Sequence, residues 1–318
     1  MMKRYHTITV PPAYDGRTLF SYLKKELAFS AAKISSVKYD SGGLLLNGER
    51  VTVGAALHTG DRLSVLLTDS ENRGNRLIPN EMPLSILYED EDLIALAKPS
   101  GVVCHPSKGH LVDSLASGLR AYFDRTDPEA SVHLIGRLDK ETSGIVLSAK
   151  NAVAAAILMR NDTVRKTYTA AAEGVFGEKK GIITIPMRYV RDEAGILRVE
   201  AGEEKSRESE AQASESRDEK TAVTEYQVLS QREDYAVLLV RIPTGRMHQI
   251  RFHMAETGHP LLGDRVYGGP TDRIGRAALH AGELSFRHPF TGEEIHLAAA
   301  PPEDLKELLK QGEETGQT

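Results

Sequence analysis

One carboxylate among cations and hydroxyls is the part of this sequence best suited to chemistry. Asp139 lies in an Arg-Leu-Asp triplet with Arg137, and a Thr-Ser-Gly turn at 142–144 follows it. A buried carboxylate is costly unless it is paired, and a guanidinium within about 4–6 Å favours its ionised form. Asp139 is therefore a candidate nucleophile or base, although such a residue taken alone is more often a strand-end cap or part of a structural salt bridge.

Three further side chains fit the same kind of site. Lys166 and Tyr168 share a Lys-Thr-Tyr triplet, and Arg251 lies in TGRMHQIRFH. A guanidinium can hold a carboxylate through two parallel hydrogen bonds. Taken singly, Tyr168 is more often a half-buried strand residue and Arg251 part of an ion pair on a helix surface. The prediction therefore depends on the combination.

Several familiar sites are absent from the sequence. It contains no GxxxxGK[ST] and no GxGxxG after a strand, which argues against a nucleotide cofactor, and no GxSxG elbow. The one cysteine, Cys104, rules out an intramolecular disulfide and a thiolate zinc cluster, and is expected to act as a small apolar side chain. His248, His253 and His259 are five and six residues apart rather than four, so we predict no metal site.

The candidate residues must be positioned by strands and one helix. Alternation over 144–150 predicts a strand directly after the Asp139 stretch, and KTYTAAAEGVF predicts a second strand, which carries Tyr168. RMHQIRFHMAETG predicts a helix that carries Arg251 and ends at Gly258. Strands in hairpin order with irregular helices between them predict an α+β fold with a mixed or antiparallel central sheet.

Other segments complete this predicted domain. Hairpins are predicted for ILYEDEDLIALAK and for EYQVLS with YAVLLVRI, and further strands for RAALHAGELSFRHP. Helices are predicted for 111–123, for AVAAAILMRN and for PPEDLKELLKQ, which has acids in its first turn and lysines later.

Residues 1–70 predict a small separate module. Leu19, Leu23 and Leu27 at four-residue spacing indicate a helical pattern, and Asn47-Gly48 in LLLNGERV is a strong hairpin signal. HTGDRLSVLL adds a strand. After this module we predict a linker over 71–83 and a main domain over 84–302. Within the main domain we predict a long mobile insertion over 192–220. A C-terminal helix with its tail is predicted over 303–318.

Composition and charge limit the classes of function that this chain can have. The chain has 318 residues, 40% hydrophobic and 27% charged, with no apolar run long enough for a bilayer and no signal peptide, which favours a soluble cytoplasmic protein. The net charge of −5 argues against a nucleic-acid partner. However, residues 203–220 and 303–318 each carry a net charge of −3, which leaves +1 on the rest of the chain, and residues 1–70 alone carry +3. A local positive groove is therefore compatible with the sequence.

Together these motifs resemble those of the RluA-type pseudouridine synthases. The family signature, RLD-x-x-TSG, is matched by HLIGRLDKETSGIVLSAKN. The second motif of the family is matched by KTYTA. Its C-terminal blocks are matched by TGRMHQIRFHMAETGHPLLGDRVYG and RAALHAGELSFRHPFTGE. The matches run in family order over about 86–293. The sequence departs at Gly136, where most members carry His, and in the acidic insertion at 203–220.

The resemblance implies an isomerase that converts uridine in RNA to pseudouridine without a cofactor. Asp139 would be the nucleophile or base, and Arg251 would pair with it. Tyr168 would lie against the uracil and could accept the C5 proton if its pKa were lowered.

The resemblance also implies substrate contacts. Arg137 would fill the space or hold the phosphates left by a flipped-out uridine. Lys166 would contact phosphate or support the fold, and Leu279 would wall the uracil pocket or be a plain core residue. The turn at 142–144 is expected to aim Asp139 rather than to touch substrate.

The N-terminal module resembles the αL RNA-binding domain of a bacterial small-subunit ribosomal protein and of tyrosyl-tRNA synthetases. Five cations are predicted on its surface: Lys24, Lys25, Lys33, Lys38 and Arg50. They suit contact with phosphates, and the alternative is that they only form a solvated basic face.

The substrate predicted is ribosomal RNA, with that of the large subunit favoured and transfer RNA left open. The chain is expected to be a monomer with no metal and no membrane partner. A non-catalytic RNA-binding or ribosome-assembly factor is the alternative. Hydrolysis of a glycosidic bond ranks last, since it usually needs two carboxylates and Asp139 has no obvious partner in the motifs.

Overall fold

The computed structural model describes residues 3–67, 77–160, 163–191, 197–202 and 219–310. The strands are β1 (Tyr5–Thr9), β2 (Leu44–Leu46), β3 (Glu49–Arg50), β4 (Arg62–Leu66), β5 (Ile86–Glu89), β6 (Leu93–Lys98), β7 (His133–Ile135), β8 (Ser143–Ala149), β9 (Arg165–Glu173), β10 (Lys180–Ile183), β11 (Met187–Arg191), β12 (Leu197–Ala201), β13 (Glu219–Lys220), β14 (Thr224–Gln231), β15 (Tyr235–Arg241), β16 (Leu279–Arg287) and β17 (Glu294–Ala298). The helices are α1 (Leu19–Lys25), α2 (Ala31–Tyr39), α3 (Leu115–Thr126), α4 (Ala152–Arg160), α5 (Gln249–Glu256) and α6 (Glu303–Lys310).

A small sheet with the order β1-β4-β2-β3 lies against α1 and α2 at the N-terminal end. The predicted hairpin is present, because Asn47 and Gly48 both take positive φ (54° and 89°) between β2 and β3. Such a turn matches the twist of the two strands. Leu19, Leu23 and Leu27 are all buried, as their spacing predicts.

The main sheet has the order β10-β14-β15-β9-β16-β8-β6-β5, with β17 beside β16 and β7 beside β8. The strands that pair in it are antiparallel apart from β8 and β16, which are parallel. The predicted α+β fold with a mixed sheet is therefore confirmed. Among the described residues, no helix has the length and apolarity needed to cross a bilayer.

Strand β8, which follows the Asp139 stretch, lies deep in this sheet. All seven of its residues are buried. Val146 packs into one apolar cluster, whereas Ile145 and Leu147 pack into another. Because both faces of β8 are covered, the loop that precedes it is attached to one of the most firmly held strands of the domain.

Two predicted elements differ in extent. The helix expected over 111–123 begins only at Leu115, because the Ser114 hydroxyl accepts a hydrogen bond from the Ser117 amide (3.1 Å) and caps it, and Leu111 is 67% exposed. The insertion expected to be mobile over 192–220 contains β12 and β13, which pair with β11. The rest of that prediction falls on 192–196 and 203–218, outside the described residues.

The N-terminal module contacts the main domain. Val153 of α4 lies in the same apolar cluster as the module core, and Arg4 pairs with Asp92 (2.9 Å) at the tip between β5 and β6. The His6 ring stacks on Phe290, with 4.3 Å between the ring centroids. The division of the chain at 70, 83 and 302 stays a prediction.

Candidate active site

A cavity of about 600 Å³ opens where β7, β9, α5 and the start of β16 come together. All six residues predicted for catalysis or substrate binding line it, although they come from distant parts of the sequence. They are Arg137, Asp139, Lys166, Tyr168, Arg251 and Leu279. Of the described residues that line this cavity, Asp139 is the one carboxylate, whereas Arg137, Lys166, Arg246 and Arg251 are cations.

The loop that carries Asp139 starts with a left-handed residue. Gly136 has φ of +72°, directly after β7. Glycine takes this conformation without the penalty that a Cβ brings. A Cβ at Gly136 would meet no atom within 4 Å, so a larger residue such as the family's His is opposed here by backbone conformation and not by lack of space.

Buried polar groups clamp the loop on both sides of Asp139. The Lys98 ammonium donates to the carbonyls of Pro99 (2.9 Å), Val102 (2.8 Å) and Lys140 (3.2 Å). The Cys104 sulfur accepts from the Leu138 amide and donates to the Leu138 carbonyl, both at 3.3 Å. Cys104 is buried, as expected, but its thiol also fixes the residue next to Asp139.

Arg251 is held by a carboxylate that the sequence analysis did not single out. Its Nε and Nη2 atoms donate to Asp264 at 2.6 and 2.7 Å, and the two residues are 3% and 0% exposed. Although burial opposes the charge, hydrogen bonds and the charge of Asp264 raise the pKa of Arg251 above its usual value. Arg251 is therefore a buried cation, and the surface ion pair considered for it is wrong.

The predicted contact between Arg251 and Asp139 is present but long. Arg251 Nη1 lies 4.0 Å from Asp139, and Nη2 lies 3.6 Å from Glu141. The Arg251 guanidinium thus contacts Glu141 and Asp264 as well as Asp139. The sequence did not predict these two further carboxylates. Asp264 is fully buried and Glu141 does not line the cavity, so neither presents a second carboxylate to a ligand.

Tyr168 and Lys166 face the cavity from β9. Burial and the Asp139 carboxylate raise the pKa of Tyr168 well above that of a free phenol, which does not favour a role as base. Burial lowers the pKa of the half-buried Lys166 to about 8. The Lys166 side chain has no hydrogen bond or ion pair with the described residues.

Leu279 and Arg137 both line the cavity but differ in burial. Leu279 is buried in the main core beside Tyr168 and Ile250. Arg137 is exposed at the mouth, and its side chain pairs with no acid in the described part of the chain. The lining therefore includes both a buried apolar side chain and an exposed cation.

Behind Arg251 lies an aromatic group that sequence reasoning also missed. The Tyr267 ring is 5.5 Å from Arg251 Cζ, and its hydroxyl is 3.2 Å from His248 Nδ1. His248 has φ of +58°, an uncommon value outside glycine, at the residue before α5. The sequence around Arg251 predicted a helix, but it did not predict the positive φ of His248 at the start of that helix.

A buried hydroxyl in the cavity wall lacks a partner. Thr142 is 2% exposed, lines the cavity, and its Oγ1 has no hydrogen bond with the described residues. Leaving such a group unsatisfied costs about 1–3 kcal/mol. The expectation that the turn aims Asp139 rather than touches substrate stays a prediction, and a hydrogen bond from this hydroxyl to a ligand is the alternative that a substitution can test.

Thr142→Val is therefore expected to leave the folded protein as stable or more stable, and to reduce about tenfold the kcat/KM of the reaction that the family resemblance implies, as for one lost hydrogen bond. Thr142→Ser, which restores the hydroxyl, is the matched control and should recover most of the activity. Denaturation midpoints measure the first effect, and an assay of the implied uridine isomerisation measures the second. Full activity in the Val variant would mean that the hydroxyl bonds no substrate.

Away from the cavity, one group of side chains has the composition of a metal site. Asp90, Asp92 and His288 bring ligand atoms within 4.8 Å of one another. These atoms already have partners, because His288 lies 3.1 Å from Asp90, and Asp92 accepts from Arg4 (2.9 Å) and Asn151 (3.0 Å). The arrangement ties the module to the main domain.

Four of the five predicted RNA-binding cations are exposed on the N-terminal module: Lys24, Lys25, Lys38 and Arg50. The prediction of a surface Lys33 is wrong, because α2 turns Lys33, Ile34 and Val37 into the module core and leaves Lys33 7% exposed. Two of the exposed lysines lie over exposed aromatic rings, Lys24 over Phe20 and Lys38 over Tyr39.

Comparisons with known proteins place the chain in a family. The family model described as RNA pseudouridylate synthase matches residues 92–256. The uncharacterized RNA pseudouridine synthase YjbO of Bacillus subtilis is 36% identical over 288 residues, which cover 90% of this chain and 96% of the relative. Ribosomal large subunit pseudouridine synthase D of Neisseria meningitidis serogroup A is 31% identical, over 95% of this chain and 80% of the relative. The structure of human RNA Pseudouridylate Synthase Domain Containing 4 matches with a TM-score of 0.54 and 26% identity, over 71% of this chain and 92% of that one.

Proposed function

The chain belongs to the RluA-type RNA pseudouridylate synthase family, whose members are isomerases, and we propose that it converts specific uridines of ribosomal RNA to pseudouridine with Asp139 as the catalytic carboxylate. The observation that carries the proposal is the convergence of six predicted residues on one cavity with a single carboxylate. Several relatives are named for the ribosomal large subunit, which supports ribosomal RNA over transfer RNA.

The reaction needs no net oxidation or reduction. The bond from uracil N1 to ribose C1′ breaks, the uracil rotates, and C5 bonds to C1′. The proton lost from C5 balances the proton that N1 gains. We therefore propose a reaction without a cofactor, in which protein side chains hold the base and move the proton.

Asp139 would act on the ribose or the uracil as a nucleophile or base. Because Asp264 takes two nitrogens of Arg251 at 2.6 and 2.7 Å, the contact of Arg251 with Asp139 stays loose at 4.0 Å. A carboxylate that lies near a cation without a direct hydrogen bond to it stays free to react. On this proposal Arg251 positions Asp139 and does not itself touch the reacting atoms.

Tyr168 and Leu279 would hold the uracil between them. The raised pKa of Tyr168 keeps its phenol protonated at neutral pH, so it would pack against the ring and donate a hydrogen bond. We assign removal of the C5 proton to Asp139, because no other carboxylate among the described residues lines the cavity.

Arg137 and Lys166 would bind the RNA around a flipped-out uridine. Arg137 is exposed at the cavity mouth and Lys166 has no partner in the described chain, so both are available to phosphates. The module of residues 1–70 would add phosphate contacts through its exposed cations. We further propose a monomer that works in the cytoplasm.

Mapping pseudouridines in ribosomal and transfer RNA from cells with and without the gene tests the proposal. We expect one or a few ribosomal sites to lose pseudouridine in the deletion strain, and to regain it with the wild-type chain but not with Asp139→Asn. Loss confined to transfer RNA would overturn the substrate. Unchanged pseudouridine in both would favour the non-catalytic alternative, and free uracil released from RNA would favour hydrolysis.

A further inference from the structure

A second cavity of about 890 Å³ adjoins the candidate active site. The two cavities share wall residues at the end of β15 and the start of β9, namely Val164, Lys166, Ile242 and Pro243. A chain that leaves the first cavity over this edge enters the second. We call the second cavity the reverse groove.

Strand register places a row of polar side chains in the reverse groove. Glu225 on β14 pairs with Arg241 on β15, Arg241 pairs with Thr167 on β9, and Thr167 pairs with Glu283 on β16. Residues paired directly across a sheet point to the same face. These four side chains therefore form one line across four strands.

A second row lies next to the first. Arg165 on β9 pairs with Ser285 on β16, which pairs with His296 on β17. Because side chains alternate along a strand, Arg165 shares a face with Thr167, and Tyr168 points to the other side. The reverse groove thus lies on the face of the sheet opposite to the active site, and the two meet at the strand ends.

The cations of the reverse groove are available to a ligand. Arg165 and Arg241 are both exposed, and their side chains make no hydrogen bond or ion pair with the described residues. Glu225 stands directly opposite Arg241 without coming within ion-pair distance. By contrast Arg287, on the same face of β16 but outside the groove, lies 3.7 Å from Glu294 and donates to the Gly292 carbonyl (3.0 Å).

We propose that the reverse groove binds the RNA strand next to the target uridine, with Arg165 and Arg241 on its phosphate backbone. The inference rests on the proposed function. Lys166 stands at the junction of the two cavities, where the phosphate joining the flipped uridine to its neighbour would pass.

The acids of the reverse groove fit a nucleotide better than a bare anion. Phosphate contacts fix the position of a nucleic acid, whereas contacts to base edges read its sequence. The carboxylates of Glu225 and Glu283 can accept hydrogen bonds from the exocyclic amino group of adenine, cytosine or guanine, which uracil lacks. The reverse groove would therefore select target sites by a neighbouring base as well as by backbone shape.

The test uses the full chain with both arginines neutralised, Arg165→Gln with Arg241→Gln. Ribosomal RNA from the deletion strain is the substrate, and pseudouridine formation gives kcat and KM at several salt concentrations. We expect KM to rise about tenfold with kcat within about twofold, and the slope of log affinity against log salt to become shallower by about 1.4–2, since two phosphate contacts are lost. Arg287→Gln is the matched control and should behave as wild type.

The outcome separates this inference from the proposed function. If the wild-type chain forms pseudouridine and the double variant keeps its KM and salt slope, the reverse groove binds no RNA. A fall in kcat with KM unchanged would also overturn the inference, because it would place the effect in the chemistry. Failure of the wild type on every RNA would instead count against the proposed function. Denaturation midpoints check that both variants fold.

Discussion

Asp139→Asn is expected to lower pseudouridine formation by about a thousandfold or more, as replacement of a catalytic nucleophile or base does in other enzymes. Asn has almost the same shape but carries no charge and cannot act as a nucleophile or base. The fold should tolerate the change, because Asp139 is only partly buried and its one ion-pair contact is long, at 4.0 Å. RNA affinity should change little, since the cations at the cavity mouth remain.

Tritium released from C5-labelled uridine in ribosomal RNA of the deletion strain measures this effect. Glu141→Gln is the matched control, because it removes a carboxylate 3.6 Å from Arg251 that does not line the cavity. That variant should keep most of its activity. Turnover at the wild-type rate in Asp139→Asn would remove Asp139 from the mechanism, whatever the family resemblance.

Much of the site could be predicted because its residues lie in short ordered motifs. Arg137, Asp139, Tyr168 and Arg251 each come next to a recognisable strand, turn or helix signal, and the structure brings them to one cavity. The Asn47-Gly48 hairpin was predictable for the same reason, since two adjacent residues decide the turn. Local rules work where neighbours in the sequence fix the geometry.

The parts that could not be predicted depend on contacts between distant segments. Asp264 follows no periodic pattern, so nothing near it in the sequence shows that it pairs with Arg251. Lys33 lies on a short helix, and packing decides which face of that helix points inward. A shift of one residue in the helical pattern would move the Lys33 side chain from the buried face to the exposed face. The direction of the pKa shift of Tyr168 depends on burial and on Asp139, which a sequence does not give.

Loss of the ion pair between Arg251 and Asp264 is expected to have two effects. It should lower the stability of the fold, and it should separately lower the rate of the reaction. The two hydrogen bonds of the pair, at 2.6 and 2.7 Å, are almost completely shielded from solvent. Removing one partner leaves the other buried charge without its hydrogen-bonded counter-ion, which costs about 3–5 kcal/mol of the free energy of unfolding. Arg251→Ala and Asp264→Ala should therefore each be strongly destabilised in urea unfolding.

Loss of activity in either single variant would consequently be ambiguous. The double variant Arg251→Met with Asp264→Leu removes both charges and fills the space with apolar groups. Replacing a complete buried ion pair in this way is often neutral or stabilising, so the double variant should recover most of the lost stability. Its denaturation midpoint, compared with those of the single variants, measures the coupling between the two residues.

Activity of that double variant then decides what Arg251 does. If Arg251 positions Asp139, as its Nη1 contact at 4.0 Å indicates, the refolded double variant should lose kcat by about a hundredfold or more while KM stays within a few fold. If the pair only supports the fold, restored stability should bring restored kcat. A stable double variant that turns over like the wild type would therefore limit Arg251 to a structural role and leave Asp139 to react without its cation.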